Sequence, residues 1–142
     1  MRKTTCLLPL ALGTFGLGLT EYVMMGILPD TAKAMHCSIP MAGNFISLYA
    51  LGVVFGSILL VILGRTKPLK QILIALATIF TFANLALVFA PNYYVFCALR
   101  FIAGLPHGAF FGVGAIAAGK LCEKSKTNQA VATMVSGMTI AN

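Results

Sequence analysis

Long apolar stretches, interrupted by short polar turns, occupy almost the whole chain. Leu7–Leu28, Gly43–Gly64, Gln71–Ala90 and Tyr93–Ala118 each reach the length of about 20 residues that one helical bilayer crossing needs. A fifth stretch opens at Thr127 and is still apolar at Asn142, too short to cross. The stretches are apolar on every side rather than along one stripe, as helices in lipid are. The pattern predicts an all-α integral membrane protein with four full transmembrane helices and the start of a fifth. The fifth stretch has no cap and no charged flank, so the chain reads as an N-terminal fragment or truncated product of something longer.

Turn residues mark the ends. Pro29 and Asp30 are expected to close the first helix, and Ser38 and Pro40 to open the second as cap and first-turn proline. Arg65–Lys70, with Pro68, makes a short turn. Pro91 and Asn92 make a shorter one, which predicts that the third and fourth helices form an antiparallel hairpin. Glu123–Asn128 is a polar linker. Pro106 is the proline expected deep inside a helix, where it removes a backbone donor and favours a kink.

Composition agrees with the pattern. Hydrophobic residues make up 59% of the chain and charged residues 9%, against about 25% charged in soluble domains. The net charge of +7 would fit nucleic acid, but its distribution does not. Arg2 and Lys3, then Arg65, Lys67 and Lys70, then Lys120, Lys124 and Lys126 all fall on one side of the predicted spans. Lys33 stands alone on the other side, and Arg100 is inside a span. That asymmetry places the N-terminus in the cytoplasm. No basic stripe interleaved with aromatics occurs, and tryptophan is absent. The first stretch is longer than a signal-peptide core and ends without a small-x-small site. The four cysteines are scattered with no CxxC pair, so neither metal nor disulfide chemistry is expected. Phosphate-cradling and nucleophile-elbow motifs are missing. The chain is expected to be no enzyme and to need no cofactor.

Two charges inside the spans carry the functional argument. An ionisable group in a bilayer costs roughly 2.5–3.5 kcal/mol on insertion scales, and such groups usually mark a pathway or site. Glu21 lies seven residues from the outer end of the first stretch, and Arg100 seven residues from the outer end of the fourth. At 1.5 Å per residue both sit roughly 10 Å below that boundary, so they can face one another or a shared aqueous cavity. Glu21 is then either part of a proton or substrate pathway or half of a static salt bridge. His107, two turns deeper than Arg100, either joins a proton relay or only hydrogen-bonds within the bundle. Asn44, Asn84, Tyr22 and Tyr49 are further candidates for a polar path, with unknown facing. Met24 and Met25 lie a turn from Glu21 and either soften a binding wall or pack.

Glycines are ordered. Gly104, Gly108 and Gly112 repeat every four residues in line with Arg100, Gly52 and Gly56 do so in the second stretch, and Gly137 follows Thr133 in the fifth. Small residues at this spacing let helix backbones approach closely, which predicts a tight bundle.

In order and spacing these features resemble the N-terminal half of a major facilitator superfamily carrier. The closer likeness is to the drug:proton antiporter branch and its arabinose-efflux-permease-like group. LALGTFGLGLTEYVMMGILPDTA resembles that group's first span, including the acidic Glu21, and ISLYALGVVFGS resembles its YALG segment. In RFIAGLPHGAFFGVGAIAAGK, Arg100, Gly104 and Gly108 fall on the family's Arg-xxx-Gly-xxx-Gly motif, whose arginine is associated with proton coupling. VSGMTIAN resembles the start of the fifth-helix antiporter motif, before its Gly-Pro segment. One departure stands out: GRTKPLK keeps Arg65, Lys67 and Lys70 of the basic loop but has Gly64 where the family carries aspartate. The resemblance implies a bacterial multi-pass inner or plasma membrane protein of twelve helices in two halves rocking about a midplane site. It implies proton-driven export of a small organic solute, such as an arabinose-like sugar or a drug. The partners would be lipid, protons, substrate and a C-terminal part. The rival readings are a truncated membrane remnant that transports nothing, a small membrane scaffold binding through its glycine faces, and an uncoupled facilitator.

Overall fold

The structure, a computed structural model, describes residues 2–63, 67–121 and 124–142. Among them are six helices: α1 (Arg2–Gly26), α2 (Leu28–Ala34), α3 (Ile39–Leu63), α4 (Leu69–Leu87), α5 (Tyr93–Leu121) and α6 (Thr127–Ala141). One 3-10 turn, Lys124–Lys126, precedes α6. The described residues contain no strand. Four helices, over Leu7–Gly26, Ile39–Leu59, Leu69–Leu87 and Tyr93–Leu121, are long and apolar enough to cross a membrane. The described residues are thus all-α, as the apolar pattern of the sequence predicts. Gly64 and Arg65 of the basic loop lie outside the described residues; Lys67 and Lys70 are exposed.

Several helix ends differ from the sequence expectation. The first helix stops at Gly26, and Pro29 and Asp30 belong to the short helix α2 rather than to a closing turn. Pro29 has no N–H for the Met25 carbonyl, so the ladder breaks there. The same proline is well placed in the first turn of a new helix, where Asp30 complements the positive end. Helix α2 ends with Cys37 N–H donating to the Ala32 carbonyl (3.0 Å) and His36 at φ 51°. That is the left-handed closure usually made by glycine. Helix α3 begins at Ile39, where the Ser38 hydroxyl accepts from Met41 N–H at 3.4 Å. Because α1 begins at Arg2, Pro9 as well as Pro106 lies inside a helix.

Helix α5 is the centre of the bundle. Helix α3 packs along one side of it and α4 along another, while α1 packs chiefly on α6. Leu10, Leu17, Phe110, Ala118 and Met134 form the buried cluster that joins α1, α5 and α6. Met24, Ala32, Ala42, Phe45 and Phe96 form a second cluster toward the opposite end. Thr14, fully buried, donates its hydroxyl to the Met134 carbonyl and so ties α1 to α6.

The glycines decide how close the helices come. A Cβ on Gly52 would overlap the Phe101 carbonyl oxygen, and one on Gly56 the Leu105 carbonyl. From the other side, a Cβ on Gly104 would meet the Tyr49 carbonyl and one on Gly108 the Val53 carbonyl. Backbone lies on backbone along the α3–α5 contact. Gly137 does the same for α6 against Ala11 of α1. Gly112 is exposed, and Gly114 instead packs against the Met134 sulfur. Gly56→Leu is therefore expected to destabilise the bundle by about 1–3 kcal/mol or more through overpacking. Gly43→Ala, where the added methyl meets nothing, is expected to be neutral or stabilising. Thermal unfolding in detergent micelles checks both: the first midpoint should fall and the second should not.

Candidate functional site

The face of α3 that carries Gly52 and Gly56 also carries Tyr49 and Phe45, one and two turns before Gly52 respectively. Close contact between α3 and α5 presses this face onto Arg100. Arg100 is 1% exposed. Its Nε donates to the Phe45 carbonyl at 3.2 Å, and its guanidinium carbon lies 4.3 Å from the centre of the Tyr49 ring. A cation over an aromatic face is stabilised by the ring quadrupole, about 2 kcal/mol when desolvated. Arg100 Nη1 is buried without a hydrogen-bond partner among the described residues. Guanidinium stays protonated in proteins, so a full positive charge is held here by one carbonyl and one ring.

Tyr49 links this charge to a second group. Its hydroxyl lies 2.8 Å from His107 Nδ1. His107 is 5% exposed and stacks on Phe111, with ring centres 5.4 Å apart. The same Nδ1 lies 3.9 Å from Glu21 Oε2. The Glu21 side chain is 28% exposed, the most accessible member of the group. One nitrogen therefore serves two oxygens. With Nδ1 unprotonated, the Tyr49 hydroxyl donates to it. With Nδ1 protonated, the imidazolium faces the Glu21 carboxylate.

Glu21, Tyr49, His107 and Arg100 are thus contiguous. Among the described residues Glu21 and Arg100 form no direct ion pair; the carboxylate meets His107. Equal depth along two helices leaves their facing open, and Arg100 points to α3 rather than α1. Asn44 and Asn84 serve elsewhere. Asn44 donates to the Tyr93 hydroxyl at 2.8 Å, and Asn84 donates to the Phe80 carbonyl of its own helix at 2.8 Å. Met24 packs in the core, whereas Met25 is exposed. Sequence reading left the facing of Tyr49 open and overlooked the Phe45 carbonyl. The available signal was that Phe45, Tyr49, Gly52 and Gly56 follow helical spacing, so the residues on the glycine face had to meet the glycine face of α5, where Arg100 stands.

The sequence profile of the Major Facilitator Superfamily matches residues 10–142. The protein AraJ of Escherichia coli (strain K12) is 46% identical over 136 residues, 96% of this chain and 34% of AraJ. The inner membrane transport protein YdhP of Escherichia coli (strain K12) is 44% identical, over 96% of this chain and 35% of YdhP. A chloramphenicol resistance protein of Streptomyces lividans is 29% identical, over 93% of this chain and 34% of that protein. The chain spans about a third of the length of these relatives. No solved structure matches it. On the profile match, which covers most of the chain, the chain belongs to the Major Facilitator Superfamily and has the fold of the N-terminal part of its architecture.

Proposed function

We propose that this chain forms part of a proton-coupled efflux carrier, an antiporter that moves a small organic solute such as an arabinose-like sugar or a drug. The observation that carries the reading is the buried Arg100, with Nη1 unpartnered among the described residues, joined through Tyr49 and His107 to the partly exposed Glu21. A buried cation without a carboxylate is costly, so the arrangement is better suited to changing partners than to holding the fold. Glu21 takes up and releases the proton. The proton moves between the Glu21 carboxyl and His107 Nδ1, which accepts from the Tyr49 hydroxyl when it is unprotonated. Arg100 supplies the fixed positive charge that opposes a second cation. The drug-like substrate class is supported by the Streptomyces lividans relative, which is named for chloramphenicol resistance. In this reading the segment works within a twelve-helix carrier in the bacterial inner membrane, with its N-terminus and basic loops in the cytoplasm. The glycine faces hold α3 against α5 and α6 against α1, and the basic Gly64, Arg65, Lys67 and Lys70 loop lies on the cytoplasmic side.

Proton-driven efflux from membrane vesicles containing the full-length carrier tests this. Glu21→Gln and Arg100→Ala are each expected to reduce gradient-dependent flux to background while the protein still reaches the membrane. Normal flux in both variants would remove the proposal.

Tyr49 separates the two contacts it makes. Tyr49→Phe keeps the ring under Arg100 and loses the hydrogen bond to His107, a change of about 1 kcal/mol. Tyr49→Ala also loses the cation–π contact and leaves a cavity, at about 3–5 kcal/mol for loss of a large buried aromatic. Melting midpoints should therefore fall slightly for the first and strongly for the second. In flux assays Tyr49→Phe should shift the pH profile; an unchanged profile would assign Tyr49 to packing alone.

A further inference from the structure

Helices α3 and α4 both lean on α5 but barely touch one another. Between them runs a groove of about 440 Å³. Its floor is α5 at Pro106, its lips include Leu59 and Ile79, and its end at the α3–α4 turn is formed by Lys67 and Gln71. Leu59 and Ile79 are both exposed, so the groove opens sideways to the surroundings of the bundle rather than toward Glu21 or Arg100.

We propose that this groove holds one acyl chain of an anionic phospholipid whose phosphate is bound at Lys67.

Three observations favour that occupant. First, depth: Gln71 and Ile79 are eight residues apart on α4, about 12 Å along the axis. A single leaflet of a ~30 Å hydrocarbon core is about 15 Å deep. The groove is one leaflet tall, whereas a packed helix would need the full height. Second, chemistry: apart from Lys67 and Gln71, every lining side chain is apolar or glycine, so the polar groups are gathered at one end, as in a lipid. Third, charge: Lys67 and Lys70 are both exposed there. The N-terminus of the 19-residue helix α4 has Pro68 as its cap and no side-chain cap bond, which leaves its positive dipole end open to an anion. Basic pockets at helix ends suit anionic headgroups.

The test is native mass spectrometry of the full protein released from micelles doped equally with phosphatidylglycerol and phosphatidylcholine of identical chains. Phosphatidylglycerol should be retained about fivefold more, the equivalent of about 1 kcal/mol for one lysine near an anionic surface. Lys67→Gln should bring the two lipids level. Ala75→Phe, at an exposed position on the groove wall, should reduce retention of both by filling the space. Equal retention of the two lipids by the unmodified protein, or an unaltered lipid load in Ala75→Phe, would overturn the proposal. A photoreactive side chain at Ile79 in native membranes gives an independent reading. Adducts with phospholipid are expected; adducts with protein would mean that a helix, not a lipid, fills the groove.

Discussion

The close approach of α3 and α5 is the contact on which the rest of the molecule depends. Four glycines remove the side chains that would otherwise hold the two backbones apart, and carbonyl oxygens of each helix occupy the vacated space. In lipid there is no hydrophobic gain from bringing two apolar helices together, so dispersion contacts of this kind have to supply the association. The same approach sets the chemistry. It brings the Phe45 carbonyl within hydrogen-bonding distance of Arg100 and the Tyr49 ring under its guanidinium. If α3 were moved outward by one methyl group, Arg100 would lose the Phe45 carbonyl as its acceptor, and the Tyr49 hydroxyl would leave His107.

Arg100 is the point at which packing and electrostatics disagree. A glycine-lined contact is a low-cost way to stabilise a bundle, whereas an arginine sealed within it is not. The ring and the carbonyl offset part of the cost of desolvation, yet Nη1 has no acceptor among the described residues. The carboxylate that would satisfy it is present in the same bundle but directed to His107. A sequence shaped only for stability would place an apolar residue at position 100. The group retained instead joins a positive charge, a phenol, an imidazole and a carboxylate in sequence.

Much of this was legible in the chain. The length of the apolar stretches gave the four spans, because bilayer thickness and helical rise leave little choice. Glycine spacing pointed to close packing, and Glu21, Arg100 and His107 stood out because charged and titratable side chains are scarce in such stretches. The pairing was less legible. Counting residues fixes depth along one helix, but the direction in which a side chain points and the tilt of its helix come from packing with neighbours. Matched depth therefore allowed Glu21 and Arg100 either to face one another or to share a cavity, and the structure turns Arg100 to α3. Helix α2 was hidden for a different reason. Pro29 and Asp30 are helix stops when read from α1 and helix starts when read toward Ala34, and only the buried Ala32 packing beside Ala42 and Phe45 decides for the second.

The two sides of α5 also differ in how much they can change. Toward α3 the backbones are in contact, and a shift of a fraction of an ångström would produce overlap along the whole seam. Toward α1 the contact is sparse, and beyond the Phe110 ring against Gly13 it includes the long approach between Glu21 and His107. Helix α1 is meanwhile held to α6 by Gly137 and by the Thr14 hydroxyl. Helix α6 in turn packs on α5, with the Met134 sulfur against Gly114, so α1 reaches α5 both directly and through α6. The Arg100–Tyr49 contact therefore lies in the seam where backbone meets backbone, and the Glu21–His107 approach of 3.9 Å lies in one where side chains alone meet.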